Sequence, residues 1–201
     1  MDYKSYKLNG YQIEIYDNVF TLSEKVNFYN IISNSYFKLG WEDTDEIEYG
    51  NYKYFYSQYN SEDIERLGFY QALGRCDEIY TKLNAYTPTK CIVNLSIPIN
   101  TYFNHSHVED KVLLYYANIR WKEEWGGETL FYDDSLKNIL FASPYVPGRI
   151  IVFDGSMPHT LRPQLGSAPH FRFTFTTFFT DRKSTRLNSS HTDISRMPSS
   201  A

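Results

Sequence analysis

Asn104-His105-Ser106-His107-Val108-Glu109-Asp110 runs directly into Lys111-Val112-Leu113-Leu114-Tyr115-Tyr116-Ala117-Asn118. Two histidines one residue apart precede a strongly apolar stretch too short for a buried helix and rich in β-formers, which predicts a strand. Residues two apart on a strand share a face, so His105, His107 and Glu109 can present donors to one side. A third histidine lies about fifty residues on, in Met157-Pro158-His159-Thr160, and an arginine follows in Phe171-Arg172-Phe173-Thr174. A neighbouring pair of ligands plus a distant histidine describes a facial metal site with open positions. Arg172, alternating with Phe171 and Phe173, is directed inward, where a planar guanidinium suits a carboxylate.

Around this stretch the chain reads as short strands at regular spacing from Lys90 onward. They cover residues 91–97, 101–107, 111–119, 128–132, 139–142, 149–154, 159–162 and 171–180. Gly126-Gly127, Pro144, Pro147-Gly148, Asp154-Gly155 and Gly166 punctuate them. Such a run predicts an antiparallel double-sheet jelly roll. Before it, Tyr11–Tyr16 alternates as a strand. Thr21-Leu22-Ser23-Glu24 opens a helix over about 23–36, and a second helix is expected from 61 or 62 to about 84. The acidic, Tyr-rich stretch between them, through Asn60, reads as irregular or hairpin. The fold class is therefore α+β: a jelly roll (double-stranded β-helix) over 89–180 with N-terminal supporting helices over 1–88, packed on one outer face.

Residues 181–201 read DRKSTRLNSSHTDISRMPSSA. This resembles the translation of a sequencing-library adapter, with Thr192-Asp193-Ile194 over its variable index. The aromatic strand pattern also stops at Thr180. A single domain over 1–180 with an unstructured tail is expected, and His191 is set aside as a ligand. Leaving out the tail removes four basic residues (Arg182, Lys183, Arg186, Arg196) and two acidic ones (Asp181, Asp193), so the net charge goes from −4 to −6. An acidic chain without a basic stripe argues against nucleic acid. No apolar run reaches bilayer length, and the N-terminus has no signal-peptide pattern. Cys76 and Cys91 are read as reduced thiols of a cytoplasmic protein.

The stretches Leu113–Asn118, Trp125-Gly126-Gly127-Glu128-Thr129-Leu130-Phe131, Pro147-Gly148-Arg149-Ile150-Ile151-Val152-Phe153-Asp154, Met157–Thr160 and Arg172-Phe173-Thr174, in this order, resemble the prolyl-4-hydroxylase-like branch of the 2-oxoglutarate/Fe(II) dioxygenases, including small phage-type and bacterial members. The resemblance covers Thr101 to Phe179. It implies an oxidoreductase that uses Fe(II), 2-oxoglutarate and O2, and admits ascorbate. It implies hydroxylation of a C–H bond, of a peptidyl proline or another protein side chain, with a small-molecule substrate as the alternative. Arg172 and Thr174 then hold the distal carboxylate of 2-oxoglutarate, helped by Tyr116.

The family's usual proximal motif is His-x-Asp, and this chain departs from it. His107-Val108-Glu109 keeps two histidines and a carboxylate. His105-Ser106-His107 puts a histidine where aspartate is normal. His159 completes either set, so His105 and Glu109 compete for one position. A carboxylate partly neutralises Fe(II) and three imidazoles do not, which favours Glu109; the spacing to Tyr116 supports His105. Asp110 faces away on a regular strand. Two other readings stand beside the dioxygenase. One is a non-catalytic jelly-roll binding module, and the other a three-histidine, cupin-like metalloenzyme that does not use 2-oxoglutarate.

Overall fold

A computed structural model describes residues 1–40, 54–98 and 103–183 of the chain. Eleven strands among these residues form two antiparallel sheets. The larger has the order β1-β2-β9-β6-β11-β5-β4-β3 and the smaller β10-β7-β8. In chain order they are β1 (Asp2–Leu8), β2 (Tyr11–Asp17), β3 (Lys38–Gly40), β4 (Tyr54–Tyr59), β5 (Tyr86–Ser96), β6 (Lys111–Tyr116), β7 (Thr129–Tyr132), β8 (Ile139–Ser143), β9 (Ile150–Asp154), β10 (His159–Leu161) and β11 (Arg172–Asp181). Ile13, Ile15, Val112, Leu114, Phe131, Phe153 and Phe178 fill the space between the sheets. This is the double-stranded β-helix expected from the run of short strands.

The helices α1 (Leu22–Ser33), α2 (Ser61–Leu67), α3 (Phe69–Leu73) and α4 (Asp77–Leu83) cover the other face of the large sheet. A second core forms there, in which Phe20, Phe28, Phe69 and Tyr115 meet edge to face and Phe175 packs tilted on Phe69. Thr21 caps α1 through a capping box with Glu24. The helix stops at Ser33, short of Tyr36: Asn34 leaves helical geometry (φ −96°, ψ 11°), and its side chain donates to the Asn30 carbonyl at 2.7 Å. The second expected helix is three short ones. Gly68 adopts a left-handed conformation (φ 69°) that ends α2, and the chain turns again at Gly74.

The segment 1–88 is not helical support alone, since it contributes four strands to the large sheet. β1 was not anticipated. Asn9 and Gly10, at φ 49° and 91°, close a two-residue hairpin that pairs Leu8 with Tyr11, the turn that Asn-Gly favours. The Tyr-rich stretch before Asn60 does contain a hairpin partner: β4 pairs with β3 and β5. Residues 41–53, which include most of that stretch, lie outside the described residues. β11 continues one residue past the expected end, with Asp181 opposite Tyr86; residues 184–201 also lie outside the described residues. No described helix is long and apolar enough to cross a membrane, and Cys76 and Cys91 are both buried free thiols.

The β1–β2 hairpin is tied to α4 through Glu14, which is 4% exposed. Its carboxylate accepts from Lys82 Nζ (2.6 Å), Tyr16 OH (2.7 Å), Gln12 Nε2 (2.7 Å) and Tyr3 OH (3.3 Å). Burial pushes the carboxyl's pKa up, but hydrogen bonds from Lys82 and Tyr16, with the Lys82 charge, outweigh it and leave the pKa lowered. A lowered carboxyl pKa stabilises the fold above its unfolded value, and that contribution is lost as pH falls through the folded value. Glu14→Ala is expected to cost about 2 kcal/mol at neutral pH, because it strands buried donors. Denaturant titrations should show the gap between variant and parent closing as the pH drops below the ordinary carboxylate range.

Candidate metal centre

Strand alternation sorts β11 into two rows. Phe173, Phe175 and Phe179 enter the core under the helices. Arg172, Thr174, Thr176 and Phe178 are the alternate residues, and of these Thr176 and Phe178 line a cavity between the sheets. Ile92, Asn94 and Ser96 of β5 and Val112 and Leu114 of β6 line the same cavity, with Phe153, His159, Thr160 and Leu161. His105 and His107 close it from the segment that precedes β6.

That segment is where expectation and structure differ most in detail. Residues 103–107 do not form a strand; residues 101 and 102 lie outside the described residues. The chain instead crosses from one sheet to the other. His105 and His159 exchange backbone hydrogen bonds of 3.0 and 2.9 Å, and two residues later His107 N–H donates to the Gly155 carbonyl at 2.7 Å. The Gly155 N–H in turn donates to the Asp110 carbonyl at 3.1 Å. The Asp154-Gly155 turn thus holds the crossing segment against the end of β9. A Cβ on Gly155 would overlap the carbonyl oxygen of Glu109, so the turn requires glycine for close approach rather than for an unusual φ.

The crossing brings the imidazole donor atoms of His105, His107 and His159 all within 4.8 Å of one another. Ring centroids are 4.4 Å apart for His105–His159, 5.0 Å for His105–His107 and 5.1 Å for His107–His159. Each imidazole packs on a phenylalanine: His105 on Phe103 (5.0 Å), His107 on Phe178 (4.7 Å) and His159 on Phe153 (4.8 Å). Burial drives the His107 pKa down to about 2, with the nearby His105 and Lys90 acting in the same sense. Burial, with His105 and His107, also holds His159 well below its ordinary value. Neutral imidazoles with available lone pairs result, the form that binds a metal. His159 Nδ1 lies 2.9 Å from the Met157 carbonyl. An N–H at Nδ1 fits that contact and leaves Nε2 as the donor atom, the usual outer support of a ligating histidine.

Glu109 is half-buried and its carboxylate is not in the three-histidine group. Asp110 is exposed, and its carboxylate accepts from the Asp181 N–H at 2.7 Å. Arg172 is 0% exposed. Its Nε donates to the Gly127 carbonyl at 2.9 Å, and its guanidinium carbon lies 5.6 Å from the Tyr116 ring centroid and 5.0 Å from that of Tyr145. Tyr116 stacks on Tyr145 at 4.4 Å and donates its phenol proton to Thr129 Oγ1 at 2.7 Å. Thr174 pairs with Tyr116 across β11 and β6. Three buried oxygens on this face, Asn94 Oδ1, Thr174 Oγ1 and Thr176 Oγ1, have no hydrogen-bond partner among the described residues. Buried polar atoms are nearly always satisfied, and these three are the polar oxygens open to a partner on this face. Sequence reading missed Asn94, Thr176 and Tyr145. Strand alternation from Arg172 was the signal that could have reached Thr176.

No protein-family model and no curated protein matches the chain in sequence. Solved structures do match it in shape. A prolyl hydroxylase from Trichoplax adhaerens, in complex with a hypoxia inducible factor oxygen degradation domain peptide fragment, superposes with a TM-score of 0.62 at 17% identity, over 87% of this chain and 86% of that one. A Pseudomonas putida prolyl-4-hydroxylase gives 0.59 at 14% identity, over 85% and 92%. The 2OG complex of a viral collagen prolyl hydroxylase from Paramecium Bursaria Chlorella virus-1 gives 0.55 at 15% identity, over 83% and 94%. The chain has the fold of the 2-oxoglutarate/Fe(II) oxygenases.

Gly155→Ala is expected to displace the crossing segment and weaken binding of a divalent metal roughly 10- to 100-fold, the range associated with losing the outer support of a ligand. Equilibrium dialysis against Co(II) measures it, and an unchanged far-ultraviolet circular dichroism spectrum shows that the sheets persist.

Proposed function

We propose that this protein is an Fe(II)- and 2-oxoglutarate-dependent dioxygenase that hydroxylates a C–H bond of a peptidyl proline or another protein side chain. One observation carries the reading: three histidine side chains converge with their donor atoms within 4.8 Å of one another, and burial keeps His107 and His159 in the neutral form, while β11, which contributes Thr176 and Phe178 to the same cavity, also carries a fully buried arginine. The donor set fits a borderline divalent metal, and the buried guanidinium fits the distal carboxylate of a dicarboxylic keto acid.

His105, His107 and His159 hold the metal in this reading, and Glu109 lies outside the ligand set. Arg172 fixes one end of 2-oxoglutarate, with Thr174 donating a hydroxyl to it. The rings of Tyr116 and Tyr145 pack on the guanidinium and exclude water. When bound, iron and 2-oxoglutarate supply the oxidising chemistry: O2 is consumed, 2-oxoglutarate is converted to succinate and carbon dioxide, and one oxygen atom is inserted into the substrate C–H bond. The protein's own contribution is orientation and dryness. Phe103, Phe153 and Phe178 wall the imidazoles, and Ile92, Val112 and Leu114 make the rest of the cavity apolar. A peptide substrate is supported by the Trichoplax adhaerens neighbour, which is in complex with a peptide fragment.

The donor set itself favours a second reading, a cupin-like metalloenzyme that uses three histidines without 2-oxoglutarate. Arg172 separates the two. Under the dioxygenase reading, Arg172→Met weakens 2-oxoglutarate binding to the metal-loaded protein by roughly 30-fold or more, as expected when one partner of a buried charge pair is removed, and stops succinate formation. Metal affinity measured without 2-oxoglutarate does not fall. Parent protein that binds metal yet neither binds 2-oxoglutarate nor forms succinate would favour the second reading.

A further inference from the structure

The described residues gather positive charge at this site and keep negative charge away from it. The three donors that converge are imidazoles, which bring no charge to a bound divalent ion. The carboxylates nearest in sequence are turned elsewhere or engaged. Asp110 accepts from the Asp181 N–H, Asp154 takes Lys111 Nζ at 2.5 Å and the Gln12 N–H at 2.7 Å, and Glu109 is not in the donor group. Arg172 adds a guanidinium with 0% exposure, and Lys90 Nζ sits 4.8 Å from the centroid of the Phe178 ring, which itself packs on His107. The cavity walls beside the histidines are largely apolar, so a charge carried by a metal ligand is weakly screened there.

From this we infer that metal retention in this protein is controlled by the dianionic co-substrate through charge. The imidazole-only centre holds a divalent ion weakly by itself and tightly once a dianion is present. The inference rests on the dioxygenase reading and deepens it: the ligand set makes metal occupancy respond to the concentration of a keto dicarboxylate. A carboxylate in the ligand set supplies part of that negative charge permanently and so weakens the dependence. Chelation of the metal by the co-substrate favours joint binding in any such centre. The part due to charge is isolated by comparing two side chains of one shape, one charged and one neutral.

The test uses the full chain, anaerobically, with Co(II) as the metal and 2-oxoglutarate as the dianion. Equilibrium dialysis gives the factor by which saturating 2-oxoglutarate raises metal affinity in the parent, in His107→Asp and in His107→Asn. The backbone N–H that binds Gly155 is unaffected by either change. The expected result is an enhancement in His107→Asp smaller than in His107→Asn and in the parent by at least about tenfold, the effect of one unit charge in a poorly screened site. The same pair of substitutions at His105 serves if neither His107 variant retains metal. Equal enhancement in the aspartate and asparagine variants, with 2-oxoglutarate still binding the metal-loaded parent, would overturn the inference and leave the dioxygenase reading intact. A metal-loaded parent that does not bind 2-oxoglutarate at all would overturn both.

Discussion

The site depends on one crossing of the backbone. Between Phe103 and Asp110 the chain leaves the small sheet, where His105 and His159 exchange two hydrogen bonds, and reaches the large sheet, where His107 and Asp110 bond to Gly155. Four backbone hydrogen bonds over six residues set the direction of two imidazoles toward the third. Side-chain packing alone does not fix donor atoms within 4.8 Å of one another; a backbone held at both ends does. The Asp154-Gly155 turn can approach this closely only because residue 155 has no Cβ.

Burial has opposite consequences at the histidines and at Arg172. At His107 and His159 it disfavours the protonated form, so these imidazoles are neutral and their lone pairs are available. At Arg172 it isolates a group that stays charged throughout the accessible pH range. The cost of burying that charge is offset by the Gly127 carbonyl and the faces of two tyrosines.

The double-stranded β-helix was legible because period-two alternation and Gly/Pro punctuation recur from Lys90 to Thr180, and β11 shows the pattern most plainly: its aromatic residues alternate with Arg172, Thr174 and Thr176. The grouping of His105, His107 and His159 was readable from residue type and spacing, although His105 and His107 lie in no strand and reach the group through the backbone crossing, and the burial of Arg172 was readable from its parity in β11. Two things were not. The break of the second helix at Gly68 turns on a single left-handed residue, which helical periodicity does not register. The choice between His105 and Glu109 depends on whether residues 103–109 run as a regular strand. In a regular strand both point to one face. In the structure the segment crosses between sheets and bends after His107, which carries the Glu109 side chain away from the group. Local pattern contains no record of such a crossing, because its cause is the Gly155 turn almost fifty residues further on.

The most direct test of the three-histidine centre is anaerobic titration of Fe(II) and 2-oxoglutarate into the protein, following the metal-to-ligand charge-transfer band in the visible spectrum for the parent, His105→Ala and Glu109→Ala. A band present in the parent, kept in Glu109→Ala and lost in His105→Ala is the predicted result. A band kept in His105→Ala and lost in Glu109→Ala would contradict the account, because it would put a carboxylate in the ligand set.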